Sequence, residues 1–374
     1  MSKSMRIGRP PTDLLLAFFV LAVFSGLSEY VFPAERFRSG EAVYGAACSS
    51  CHGPDGRGLP QSQVGFEDAL PDFADCNFAS REPSTDWVAV AHEGGPVRGF
   101  SQMMPSFGGA LTVQELELAV GHIRTFCPNP DWPRGELNLP RSLVIEKAFP
   151  EDEAVWTAGF PVEGSGAFQN ELVIEKRFGA RNQFELAVPF GWKEDGKWSG
   201  GIGDLGIGVK RVLAASLSSG SILSLTGEVK IPTGSEEKGF SDGTVKFEPF
   251  LSFGQVLPSE FFLHAQSGLE LSADKEKADH EGFWRFALGR TFTQGNWGRT
   301  WSPMLEVLGA REFESSAHVE WDLVPQFQVA LSTRQHIMLN VGVRLPVTDT
   351  SQRQTTVLFY LFWEWFDGGL TEGW

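Results

Sequence analysis

Two cysteines, Cys48 and Cys51, stand one helical turn apart in the stretch CSSCHGPDGRG, with His52 directly after them. Thiols at that spacing can add to the two vinyl groups of a haem, and the adjacent imidazole can reach the iron from one face. A redox Cys-x-x-Cys pair or a zinc half-site would also use the cysteines. Neither accounts for His52 being followed by Gly-Pro-Asp-Gly-x-Gly. Cys76, in PDFADCNF, and Cys127 are left over. In an oxidising compartment such a pair most simply forms a disulfide, with two free thiols as the alternative. His92 and His122 are rivals for ligation, but each reads as a satisfied or exposed histidine on a helix.

The elements that must position these groups are short helices. One is expected at Gly40 to Ala47, and another opens at Thr85 and Asp86 and runs through Val88, Val90 and Ala91. For the last helix Thr112 can act as the cap, with Glu115 completing a capping box and Leu116, Val120 and Ile123 forming an apolar stripe. From about Arg36 to Cys127 the chain resembles a class I c-type cytochrome domain, in which CHGPDGRG is followed by a Met-Pro-x-Phe loop, here MMPSFGGALT. The resemblance implies one covalently bound haem c, with Cys48 and Cys51 as thioether cysteines and His52 as proximal ligand. It makes Met104, directly before Pro105, the distal ligand, with Met103 as the alternative. His/Met ligation raises the reduction potential and leaves no open iron position. The expected role is therefore electron transfer, and catalysis is not expected.

The rest of the chain has a different character. Over the whole chain 42 Gly, 31 Phe and 12 Trp stand beside three Tyr, with Trp and Phe crowded into the C-terminal half, and the net charge is −16. A phosphate backbone needs a basic footprint, so nucleic acid is excluded as a partner. Between Glu35 and Asp131 thirteen acidic residues face six Arg and no Lys, so a redox carrier docking there would be basic. Lys3, Arg6 and Arg9 precede the apolar run Leu14 to Phe24, and Val23 and Ser25 offer a small-residue cleavage pattern. This predicts a secretory signal peptide over residues 1–26, followed by a cytochrome domain over 35–128, a Pro-rich linker over 129–142 and a β domain over 143–374.

After the linker the hydrophobic period becomes two. Leu223, Leu225, Val229 and Ile231 alternate with Ser224, Thr226, Glu228 and Lys230, and the pattern recurs about twelve times, starting near residues 153, 167, 182, 202, 220, 243, 260, 281, 300, 317, 334 and 355. Several runs reach ten residues, matching the ~9 to 11 that cross a bilayer at a tilt. Their connections alternate between short turns (FGARN, AASLSSG, LPSE, LSTRQ) and longer charged loops (KEDGKWSGG, PTGSEEKGFSDG, ADKEKADHEG, PVTDTSQRQ). The expected fold is multidomain: a small all-α haem domain, then an antiparallel transmembrane β-barrel of about 12 strands with short turns in the periplasm. Its lumenal set would be Asp204, Lys210, Glu228, Lys230, Lys246, Glu248, His264, Glu270, Glu320, Asp322 and Arg344. A soluble sandwich would instead expose these groups. The chain-terminal Trp374 behind VLFYLFWEWF favours the barrel.

EKAFPEDEAVWTAGF, GDLGIGVKR and EVKIPTG resemble the outer-membrane barrel family of phenol-degradation gene clusters, over roughly Leu143 to Trp374. The joined plan is similar to the fused outer-membrane cytochrome-porins of iron-oxidising bacteria. Twelve strands enclose a cylinder ~24 Å across. A cytochrome of about 90 residues is ~30 Å wide, so it must sit outside, at the periplasmic mouth. The functional expectation is an outer-membrane protein, embedded in lipid, that passes electrons between a small soluble donor or acceptor entering the pore and periplasmic carriers. Two alternatives remain: a small-molecule channel with a tethered cytochrome relay or sensor, and a soluble periplasmic redox protein with a β domain.

Overall fold

The structure is a computed structural model that describes residues 37–163 and 166–364. The expected signal peptide and Trp374 lie outside the described residues.

The first module is a set of short helices: α1 (Gly40–Ala47), α2 (Ser49–His52), α3 (Gln61–Val64), α4 (Cys76–Ala79), α5 (Ser84–Glu93) and α6 (Val113–Ile123). The capping box on α6 forms as expected: Glu115 N donates to Thr112 Oγ1 at 3.2 Å, and Thr112 N donates to Glu115 Oε2 at 2.9 Å. Leu116 and Val120 are buried with Val43, Val88 and Leu111, and Ile123 is buried with Tyr44 and Phe73. Helix α5 starts one residue before the expected Thr85, behind Pro83. Its first hydroxyl does not cap it, because Ser84 Oγ donates to Glu136 Oε1 at 2.6 Å.

The second module is a closed antiparallel barrel. Its strands are β1 (Asp152–Pro161), β2 (Ala167–Phe178), β3 (Asn182–Asp195), β4 (Lys197–Ile202), β5 (Leu205–Ser216), β6 (Ser221–Ile231), β7 (Lys246–Val256), β8 (Phe261–Ser272), β9 (Glu281–Arg290), β10 (Phe292–Thr293), β11 (Thr300–Glu312), β12 (Glu320–Ala330), β13 (Ile337–Pro346) and β14 (Thr356–Glu364). Pairing of β1 with β14, from Glu153 against Glu364 to Pro161 against Thr356, closes the ring. β4 pairs only with the far end of β3, and the two-residue β10 only with β11, so twelve strands form the closed wall. The stretch KEDGKWSGG, read as an open loop, is therefore a hairpin of β3 and β4. Its Lys, Trp and Ser residues continue the β-compatible pattern of β3.

The period of two becomes an inside and an outside. On β6, Ile222, Ser224, Thr226 and Glu228 are buried while Leu225, Val229 and Ile231 are exposed. Phe184, Trp192, Val209, Phe247, Leu251, Phe286, Leu288, Leu305, Phe327 and Val341 extend this apolar exterior around the barrel. A belt of that extent exceeds what soluble monomers expose and suits a lipid environment. The soluble-sandwich alternative falls, because the twelve wall strands close into one ring and, among the described residues, no second sheet covers its apolar exterior.

Of the expected lumenal set, Lys210, Glu228, Glu248, His264 and Asp322 are buried inside the wall, whereas Asp204 lies in the connection before β5 and accepts from the Gly234 amide, and the lumen is filled. Residues 137–149 thread it before β1 begins. Leu137, Leu139, Arg141, Leu143, Ile145, Lys147 and Phe149 are all buried. Arg141 Nη1 bonds Glu153 at 2.6 Å and Glu175 at 3.0 Å, and Lys147 Nζ bonds Glu151 at 2.6 Å and Glu153 at 3.1 Å. Glu306 Oε1 accepts the Ile145 amide at 2.9 Å, Gln326 Oε1 accepts the Leu143 amide at 3.0 Å, and Tyr360 Oη donates to Arg141 O at 2.6 Å. An extended segment has no ladder of its own, so the wall's polar side chains satisfy its backbone. The linker expected over 129–142 is therefore corrected: its residues 137–142 are buried in this lumenal segment, held by the polar side chains of the wall.

Candidate functional site: a haem-type pocket seated on a barrel mouth

Cys48 lies at the junction of α1 and α2, its amide bonded to Tyr44 O at 2.9 Å, and the His52 amide returns to Cys48 O at 3.0 Å. One helical turn therefore spans Cys48, Cys51 and His52. The glycine-rich tail folds back on them, with Gly58 N donating to His52 O at 2.9 Å and Leu59 N to Cys51 O at 2.8 Å. That reversal needs Gly53, Gly56 and Gly58 at φ of 74°, 74° and 78°, a region closed to most side chains. Tyr44 Oη donates to Gly53 O at 2.6 Å and pins the turn to α1.

The side chains suit a flat, apolar, metal-bearing ligand. Cys48 and Cys51 are free thiols, whereas Cys76 and Cys127 are joined in a disulfide, with Cα atoms 5.2 Å apart. Burial, with a lesser contribution from Cys51, pushes the Cys48 thiol up to about 11. Burial lowers the His52 imidazole, keeping it in the neutral form that binds metals. His52 Nδ1 is buried without a hydrogen-bond partner among the described residues, and its ring lies 5.0 Å from that of Phe73. Phe73, Phe78 and Trp87 stack in series beside it, with ring centroids 5.1 to 6.4 Å apart. An orphaned imidazole nitrogen among aromatic rings, next to two unpaired thiols, fits the donor set of a covalent haem.

The loop after α5 holds the two methionines. Gly95 N donates to Met104 O at 3.0 Å, Phe107 N to Ala91 O at 3.0 Å, and Gly108 N to His92 O at 2.9 Å, which ties the loop along α5. Met104 is half-buried, whereas Met103 is 51 % exposed. His92 and His122 are engaged elsewhere. His92 bonds Glu93 at 2.8 Å, and His122 packs its ring 5.1 Å from Phe126.

The disulfide clamps the start of α4 to the end of the domain. Removing it from a loop of about fifty residues costs ~4 kcal/mol in the chain-entropy model. Replacing Cys76 and Cys127 by Ala is therefore expected to lower the denaturation midpoint of the helical domain. Guanidinium unfolding followed by domain-specific absorbance checks this, and an unchanged midpoint would count against a structural disulfide.

The contacts that hold the two modules together have no local signature in the sequence. Arg98 pairs with Asp86 at 2.7 Å and also donates to Trp297 O at 2.7 Å, across to the loop between β10 and β11. Glu82 meets His336 Nε2 at 2.5 Å, Arg81 pairs with Asp152, and Asp131 pairs with Arg181 at 3.0 Å. Trp297 also packs on the Val43 and Leu116 core. Every barrel partner here belongs to β1's first residue or to the connections after β2, β10 and β12. The helical module thus sits on the short-turn end. Opposite, a lumenal recess of about 230 Å³ is lined by Glu281, Arg285, Glu320, Asp322, Arg344 and Arg353.

Fold and site together define a cytochrome c-type domain joined to an outer-membrane channel-like barrel of twelve strands. The chain belongs to the family described as "Putative MetA-pathway of phenol degradation", whose model matches residues 155–362, more than half of its length. Residues 35–123 match the family model of cbb3-type cytochrome c oxidase subunit III. Among solved structures, similarity extends to an outer-membrane channel from Pseudomonas putida F1, with TM-score 0.43, 11% identity and coverage of 60% of this chain and 98% of that one. LpxR from Salmonella typhimurium gives 0.39 at 4% identity, covering 57% of this chain and 100% of the other. The KdgM porin gives 0.36 at 11% identity, covering 57% and 99%. No curated protein matches the chain.

Proposed function

We propose that the chain is an electron carrier, with one covalent haem c held beside the periplasmic mouth of an outer-membrane barrel. The observation that carries this reading is the grouping of Cys48, Cys51 and His52 on one helical turn, in a domain bonded to the short-turn end of the barrel. Cys48 and Cys51 would hold the group by thioether bonds, and His52 and Met104 would supply the protein ligands to its iron. When bound, haem supplies a one-electron iron couple, and two protein ligands leave no iron position for a substrate. The chain's own residues then keep the site dry through Phe73, Phe78 and Trp87. Short turns of bacterial barrels lie in the periplasm, so the helical domain belongs there with them.

The acidic helical domain favours a basic periplasmic carrier as one partner. The other partner must reach the lumen from the long-loop end. Residues 137–149 leave space only for a small soluble donor or acceptor, such as one the size of the recess beside Arg285 and Asp322.

Axial ligation is tested by Met104→Leu and Met103→Leu. The first is expected to lower the midpoint potential and remove the six-coordinate absorption signature, while the second changes neither. Equal behaviour of the two variants in spectroelectrochemical titration would contradict the assignment.

A further inference from the structure

The three stretches that carry the family likeness meet at one place in the lumen. Glu146 comes from EKAFPEDEAVWTAGF, Gly206, Gly208 and Lys210 from GDLGIGVKR, and Glu228 from EVKIPTG. Glu146, Glu185 on β3 and Glu228 bring carboxylate oxygens within 4.8 Å of one another. Glu185 and Glu228 flank Gly208 across adjacent strands. Gly206 and Gly208 present no side chains there, and a Cβ on Gly206 would lie 2.1 Å from Glu228 Oε1. The two glycines of β5 make the space into which the carboxylates lean.

Acidic clusters alone are common, but other groups point into this one. Lys210, fully buried, is the next inward residue of β5. Its Nζ makes no hydrogen bond among the described residues, and Glu146 Oε2 lies 3.8 Å away. Thr226, opposite Lys210 on β6 and 1% exposed, has no partner for Oγ1. Glu146 Oε2 makes no hydrogen bond either. Buried polar atoms are nearly always bonded, and several exceptions around one point call for an ion with its water.

We infer that these residues form a site for one hydrated divalent cation of the hard, oxygen-preferring class. Three carboxylates beside one ammonium leave two negative charges, which a single divalent ion neutralises. Carboxylates bind such ions at about 2.0–2.6 Å, and the remaining positions take water. That water can accept from Lys210 Nζ and donate to Thr226 Oγ1, satisfying both. With only oxygen ligands offered, the site suits Mg²⁺, Ca²⁺, Mn²⁺ or Fe²⁺ and disfavours thiophilic metals. Glu171, on the same face of β2 as Glu175 and exposed, continues the acidic surface away from the cluster. Because Glu146 belongs to the lumenal segment, the ion also fastens that segment to β3 and β6. The site does not depend on the electron-transfer reading.

Mn²⁺ serves as probe, titrated into the full-length protein in detergent while the free ion is followed by electron paramagnetic resonance. One site per chain is expected, weakened at least tenfold by Glu185→Gln and by Glu228→Gln. Glu314→Gln, in the separate exposed group of Asp279, Glu312 and Glu314, should leave it unchanged. Folding of each variant is checked by heat-modifiable gel migration, and if one fails to fold the other decides. Absence of binding by the wild-type protein, or binding indifferent to the Glu185 and Glu228 changes, overturns the proposal.

Discussion

Replacing both Cys48 and Cys51 by Ser is expected to abolish haem staining on denaturing gels while the barrel still folds. The two thiols are the only unpaired cysteines of the chain, so no other side chain can form the thioether bonds. Without the macrocycle the helical module loses much of its core, because so short a domain cannot bury enough surface by itself. Its disulfide between Cys76 and Cys127 keeps the chain connected but cannot replace that packing. The barrel should be indifferent, since its twelve strands close without help from the helices. Haem-stained gels combined with heat-modifiable migration check both halves of the prediction. Covalent haem retained in the double variant would mean that the attachment site is elsewhere.

Arg141→Met is expected to unseat the lumenal segment and open the pore. Arg141 is 8% exposed and is the hydrogen-bonding partner of Glu175, while Glu153 keeps Lys147 at 3.1 Å. Breaking a buried ion pair from one side strands the remaining charge, at a cost of about 3–5 kcal/mol. The segment has no strand ladder of its own to resist that loss. By comparison, Tyr360→Phe removes two neutral hydrogen bonds, one donated to Arg141 O and one accepted from Gln328 Nε2, worth about 1 kcal/mol each, and leaves no charge stranded. Planar-bilayer recordings should therefore show larger and more frequent openings for Arg141→Met, and close to wild-type behaviour for Tyr360→Phe. Identical conductance in all three proteins would contradict the idea that this segment closes the lumen.

Much of the architecture is legible from local pattern. The capping box at Thr112 and Glu115, the alternation along β6, and the number of strands all depend on neighbours within a few residues, where periodicity speaks directly. What escapes is long-range. Residues 137–149 alternate Leu, Arg, Ile, Lys and Phe much as a wall strand does. Nothing local states that both faces of such a segment are covered by lumen. The alternation is nonetheless a signal, since it continues from Leu137 toward Glu151 and into β1 at Glu153. The contacts joining the modules are further out of reach. Glu82 and His336 are 254 residues apart, and Arg98 and Trp297 are 199 apart. Likewise Glu146, Glu185 and Glu228 become a group only when the barrel closes, although Gly206 and Gly208 mark where side chains must be missing.

The domain on the short-turn end is proposed to exchange electrons with a species on the barrel's other side. The most direct test uses proteoliposomes that enclose an impermeant oxidised dye, with an impermeant small reductant added outside. The fraction of molecules with the helical domain inward is measured by its protection from external protease. Dye reduction in proportion to that fraction, lost in His52→Ala, is the predicted result. Reduction that persists in His52→Ala, or that never exceeds protein-free vesicles, would contradict it.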